Sequence, residues 1–186
     1  MVIKMMKKIL CVCLALTALL SLASCSKEVT VPDGYKLASN AEACAYSLFV
    51  PENFVSGDSG STFTKANVSN SDACEVSFMT VADIGGNTVA EHWESLQAEY
   101  AATFPEGYAV TEDEQGVAVS VGGINGFRYI FTAKYGGKDY KFMQIFVARA
   151  TVMTAELYVF TYTAAADHYD THLEAVNGIV SNIVWD

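Results

Sequence analysis

Two histidines four residues apart, in the run His168-Tyr169-Asp170-Thr171-His172, are the sharpest chemical feature of this chain. On an α-helix that spacing puts both imidazoles on one face, within reach of a single metal ion. Hydrolysis at such a centre needs a glutamate beside the first histidine, and Tyr169 stands there instead. Asp167, Asp170 and His92 are conceivable third ligands that no spacing places. Surface histidines bordering an apolar stripe are the simpler reading. Cys44 or Cys74 with a histidine would make a nucleophile pair, but a thiolate needs electropositive surroundings. This chain has 11 Lys and Arg against 21 Asp and Glu. The acidic run Glu112-Asp113-Glu114 lacks the alternating ligands of a calcium loop and reads as a solvated hairpin turn. The glycine pairs at 85–86, 122–123 and 136–137 lack the Lys-Ser/Thr of a phosphate loop and read as turns. An aromatic ladder at 127–131, 140–146 and 158–162 could floor a ligand groove, although strand spacing makes it core first. No catalytic residue, metal or cofactor is therefore expected.

Cys25 carries a different chemistry. The first eight residues hold Lys4, Lys7 and Lys8 and no acid, and residues 9–20 are apolar except Thr17. A basic start, a short apolar run and small residues before a cut define a secretion signal. Twelve residues rise only about 18 Å, short of the ~30 Å hydrocarbon core that a spanning helix must cross. Leu22-Ala23-Ser24-Cys25 resembles the lipobox of bacterial lipoproteins, whose cysteine takes a diacylglycerol thioether before cleavage in front of it. Two or more acyl chains hold a protein at a membrane far better than one. The expected division is a signal peptide over 1–24, a lipidated tether over 25–34 and a folded domain over 35–186. Cys11 and Cys13 leave with the signal.

Removing residues 1–24 takes three lysines and no acid, so the net charge moves from −10 to −13. Such a surface repels phosphate backbones, and nucleic acid is excluded as a partner. Anionic headgroups are repelled too, which leaves the lipid on Cys25 as the membrane contact. A protein of the cell envelope is the expected partner, met on the extracytoplasmic face. That compartment permits a disulfide between Cys44 and Cys74; two small buried hydrophobes are the alternative.

The elements that must position these residues follow from periodicity. Strands are expected at 35–39, 45–50, 61–67 and 74–82, with a turn at Pro51-Glu52-Asn53 and a loop over 56–60. Thr88-Val89-Ala90-Glu91 has the pattern of a capping box. Val89, Trp93, Leu96, Tyr100 and Phe104 then recur at helical spacing until Pro105. Two weak strands should flank the acidic turn. Three longer ones follow at 126–134, 139–149 and 155–163. The Gly136-Gly137 turn sets the register of the first pair. Lys134 then faces Asp139, Phe131 faces Phe142 and Phe127 faces Phe146. Tyr169, Leu173, Val176, Val180 and Ile183 predict a final helix from about Ala166 to Ile183, with Trp185 packed on the sheet edge.

These elements make an α+β chain, an antiparallel sheet of about seven strands flanked by two helices. Phe-Val-Pro-Glu-Asn-Phe (49–54), Gly-Gly-Ile-Asn-Gly-Phe-Arg-Tyr (122–129) and the aromatic hairpin resemble the PsbP-like family. So does Leu157 to Ala164 leading into His168-Tyr169-Asp170. The family also contains DcrB-like envelope lipoproteins and a Ran-binding import factor. The resemblance covers roughly Tyr35 to Trp185 and implies a binding or assembly protein, not an enzyme. Only eight Lys and Arg follow residue 24, too few for docking on a photosystem through basic residues. The expectation is a lipid-anchored, non-catalytic binding module. The alternative is an envelope metal-binding protein or hydrolase centred on His168 and His172.

Overall fold

Backbone pairing begins in short pieces and lengthens towards the C-terminal half. The computed structural model describes residues 29–38, 44–59, 63–67, 75–81, 88–150 and 155–186. Strands β1 (Tyr35–Leu37), β2 (Tyr46–Ser47) and β3 (Phe49–Pro51) come first, then β4 (Val55–Ser59), β5 (Phe63–Asn67) and β6 (Glu75–Val81). Helix α1 (Val89–Thr103) leads to β7 (Ala109–Val121), β8 (Ile124–Tyr135), β9 (Lys138–Ala150) and β10 (Ala155–Ala165). A 3-10 turn (Tyr169–His172), helix α2 (Leu173–Ser181) and β11 (Val184–Trp185) close the chain.

The main sheet runs β4-β5-β6-β10-β9-β8-β7, and each neighbouring pair is antiparallel. Two meanders therefore meet where β6 pairs with β10, and α1 crosses one face of the sheet to join them. Two-stranded sheets, β1 with β3 and β11 with β2, lie apart from it. The class is α+β with two helices among the described residues, and the main sheet has the expected seven antiparallel strands, to which the structure adds two small sheets. Eleven strands in three sheets are present among those residues. Val31–Asp186 forms one compact unit.

Local chemistry accounts for the best-defined elements. Thr88 caps α1: its hydroxyl accepts from the Glu91 N–H at 3.2 Å, and its own N–H donates to the Glu91 carboxylate at 2.7 Å. The β8–β9 register is the expected one, with Phe127, Phe131 and Lys134 opposite Phe146, Phe142 and Asp139. Lys134 Nζ lies 3.7 Å from Asp139. Alternation along each strand then separates two cores. Ile130, Met143, Ile145, Phe160 and Tyr162 face α2 and the small sheets. Tyr129, Phe131, Phe146, Leu157 and Val159 face α1.

Four expectations are corrected. The loop over 56–60 is strand β4 as far as Ser59. The acidic turn is no turn, because 109–121 is one strand whose register shifts between Val110 and Gln115 and again before Val117. Gln115 stabilises that bulge, donating from Nε2 to the Thr111 carbonyl at 2.9 Å and the Ile130 carbonyl at 2.7 Å. The final helix is shorter, a 3-10 turn followed by nine residues of α2. Trp185 is not a side-chain cap on the edge alone. It pairs within β11, packs on Tyr46, Phe78 and Tyr158, and donates to the Val121 carbonyl at 2.8 Å. The Arg149 guanidinium covers its ring at 4.9 Å.

Candidate functional site

Packing of α1 on β8 and β9 generates a column of aromatic rings that runs from core to surface. Trp93 stacks on Tyr129 at 4.6 Å and donates its indole N–H to Gln115 Oε1 at 3.0 Å. One turn and more along the helix, Tyr100 stacks on Phe131 at 5.1 Å, and Phe131 lies parallel to Phe142 at 4.6 Å. Phe142 then meets Phe104 at 5.8 Å and Tyr140 at 6.3 Å, and Phe104 meets the edge of Tyr135 at 6.5 Å. The helix ends at Thr103, so nothing from α1 covers the last rings. Phe104, Tyr135, Tyr140, Phe142 and Thr163 line an open groove of about 320 Å³ there. Tyr135, next to the hairpin tip, is 69% exposed.

Beneath the rings, Gln144 and Tyr100 pair with each other. Gln144, 7% exposed, donates to the Tyr100 hydroxyl at 2.9 Å, and that hydroxyl donates back to Gln144 Oε1 at 3.2 Å. Burial raises the Tyr100 phenol above its ordinary range, more than the Gln144 bond lowers it. A neutral phenol is kept, which suits a structural hydrogen bond and not proton transfer at neutral pH. The groove itself presents ring faces, two phenols and one threonine hydroxyl, with no carboxylate, imidazole or thiol among its lining residues. It can bury an apolar or aromatic side chain and offer that side chain's backbone a few hydrogen bonds.

The histidines are placed otherwise than their spacing predicts. His168 is the residue before the 3-10 turn and His172 its last residue. At three residues per turn, positions four apart diverge by roughly 120°, against ~40° on an α-helix. His168 is exposed and His172 half-buried. Tyr169 between them is 1% exposed, beneath the Lys141 ammonium at 4.3 Å, and burial pushes its phenol far up. His92 lies across the sheet on α1, its ring edge-on to Phe146 at 6.1 Å. No group of three or more His, Cys, Asp or Glu able to hold a metal occurs among the described residues. Cys44 is buried in the α2-side core, whereas Cys25 and Cys74 lie outside the described residues. Of the acidic run, Glu114 is ion-paired with Arg128, and Glu112 and Asp113 are exposed on the bulge.

Sequence reasoning named the 140–146 ladder as a possible floor and missed Tyr135, Phe104 and Thr163 as walls. Two-residue periodicity from Phe131 reaches Tyr135, and the helical stripe from Trp93 ends at Phe104. Thr163 had no signal, because its role depends on β10 lying beside β9.

No family model matches the chain, and no curated protein does. Solved structures do. Cyanobacterial PsbP (CyanoP) from Synechocystis sp. PCC 6803 aligns over 89% of this chain and 99% of its own, with 13% identity and a TM-score of 0.55. The Ran-binding protein Mog1p of Saccharomyces cerevisiae aligns over 83% and 95%, with 8% identity and a TM-score of 0.52. LpqN of Mycobacterium tuberculosis, involved in cell envelope biogenesis, aligns over 84% and 81%, with 18% identity and a TM-score of 0.47. The first two likenesses show that the chain has the PsbP-like fold.

Proposed function

We propose that this chain is a non-catalytic binding module held at the extracytoplasmic face of the cell envelope by lipid on Cys25. A partner protein there seats an apolar side chain in the groove beyond α1. The observation that carries the reading is the groove: four rings and a hydroxyl at the surface, ending in a tyrosine 69% exposed. Aromatic anchors that become fully desolvated in pockets on binding dominate protein interfaces. That one structural neighbour is itself a Ran-binding protein supports the reading, since the fold carries binding there. The lipobox-like Leu22-Ala23-Ser24-Cys25 supports the anchor.

A photo-crosslinking residue at Tyr140 in living cells should capture one or two specific envelope proteins. Tyr135→Ala should abolish that capture without moving the melting temperature. Turnover in a broad hydrolase screen that disappears in His168→Ala/His172→Ala, with nothing captured, would overturn the reading in favour of an enzyme. Zinc should leave the melting temperature of wild type and of that double variant alike, because a native-state ligand raises it. Cys25→Ala should stop incorporation of labelled palmitate. The Cys44–Cys74 bridge belongs to the same envelope reading, and a mass gain of about two hydrogens on reduction tests it.

A further inference from the structure

The two edges of the main sheet are treated differently. Strand β4 at one edge has five residues, includes Asp58, and slips register between Ser56 and Ser59. Shortness, charge and bulges are how proteins keep a sheet edge from pairing. Strand β7 at the other edge has 13 residues. Its bulge is confined to 110–117, and beyond it Val117-Ala118-Val119-Ser120-Val121 runs in unbroken register against Arg128 to Ile124. Those five residues carry no charge. Among the described residues no strand but β8 pairs with β7, and the C-terminal end of its free edge is closed where the Gly122 N–H donates to the Val180 carbonyl of α2 at 3.3 Å.

The turn fixes which backbone groups look outward. Gly122 and Gly123, at φ 54° and 85°, form a two-residue hairpin loop, so Val121 and Ile124 are a hydrogen-bonded pair. Bonded and non-bonded pairs alternate along an antiparallel ladder. Ala118 and Ser120 therefore turn N–H and C=O away from β8. Both side chains are small and exposed. On β8, directly opposite Ala118, Phe127 is 42% exposed, and a methyl is too short to keep a neighbouring side chain from reaching its ring. At the other end of the stretch the bulge holds Glu112 and Asp113 out to solvent.

We infer that β7 is a strand-addition site, which takes an extended segment of a partner protein along Val117–Val121. The segment hydrogen-bonds to Ala118 and Ser120, lays an apolar side chain on Phe127, and turns a basic end towards Glu112 and Asp113. Main-chain pairing supplies affinity and the alternate side chains supply selection. The site is separate from the groove.

The probe is a synthetic heptapeptide of alternating valine and threonine with lysine at both ends, offered to the full-length chain in detergent. Binding should slow amide exchange at Ala118 and Ser120. A twin with glutamate at both ends should bind at least tenfold more weakly, and that difference should shrink as salt is raised. Ala118→Pro removes an outward donor and no β7–β8 bond, so it should weaken binding at least tenfold. If that variant melts early, Glu112→Lys/Asp113→Lys replaces it, with the lysine peptide then losing its advantage over the glutamate twin. Tyr135→Ala should bind the peptide as wild type does, so loss of the groove reading leaves this one testable. Protection elsewhere, or none, overturns the inference. So does protection of Ala118 and Ser120 that grows with protein concentration without peptide, because the occupant is then a second copy of this chain.

Discussion

The two faces of one sheet are built from the same strands and finished in opposite ways. On the α2 side the rings of Tyr46, Phe78, Phe160 and Tyr162 are 0% exposed. Trp185 closes that layer, and the Arg149 side chain donates to the Asp186 carbonyl at 2.8 Å above it. On the α1 side a single helix covers the middle of the sheet and leaves aromatic rings open at both ends, Phe127 at one and Tyr135 at the other. A closed face stores stability. A half-closed face keeps apolar area to offer, at a cost in burial that the closed face can carry.

Breaking the closed face should have the largest effect. Phe160→Ala, at the centre of the sheet between β6 and β9, should destabilise by roughly 3–5 kcal/mol in denaturant unfolding. A loss under about 1 kcal/mol would show that this layer is not the stabilising one. Next comes Trp93→Phe on the half-closed face. It keeps the ring stack but strands Gln115 Oε1, for roughly 1–3 kcal/mol, and the melting temperature of the variant measures it.

The cap of α1 gives a smaller, pH-linked effect. Thr88→Ala should cost about 1 kcal/mol. The Thr88 backbone N–H, then its hydroxyl, hold the Glu91 carboxyl below its ordinary 4.5. A depressed carboxyl contributes stability that is complete above its ordinary value and lost as pH falls through the folded one. Acid titration of the melting temperature should therefore be shallower in Glu91→Gln than in wild type. The smallest effect belongs to the open end. Tyr135→Ala should change unfolding free energy by less than about 0.5 kcal/mol, while its envelope crosslink disappears. A large stability loss there would make Tyr135 a core residue and erase the contrast between the faces.

Much of this fold is legible in the amino-acid sequence. The capping box needs four consecutive residues, and the β8–β9 register needs a glycine turn and its flanking charges and rings. The α1 stripe needs only helical periodicity. The candidate site was half-readable: period two gave Phe131 and Phe142, but Tyr135, further along the same face of β8, was not named. The open end of the groove did not show, because it depends on where α1 stops over the sheet. The acidic run misled, since charge and a following glycine favour a turn locally. Gln115 reaches the Ile130 carbonyl on β8 and Trp93 on α1, and those distant partners make the strand continue through a bulge.

The sequence by itself determined the elements whose reasons are local: the cap and stripe of α1, the glycine turns, and the alternation that sorts each strand's residues between two faces. Tertiary structure decided what depends on neighbours far along the chain. It split the expected final helix at Leu173, since Tyr169 must reach the Tyr162 ring at 4.9 Å while its carbonyl accepts from the Tyr162 hydroxyl at 2.9 Å. It drew Trp185 onto Phe78 and Val121, and it left one face of the sheet sealed and the other open. Local hydrogen bonds and side-chain period act over a few residues. Burial is a property of the whole assembled sheet, so it alone determined which rings were covered.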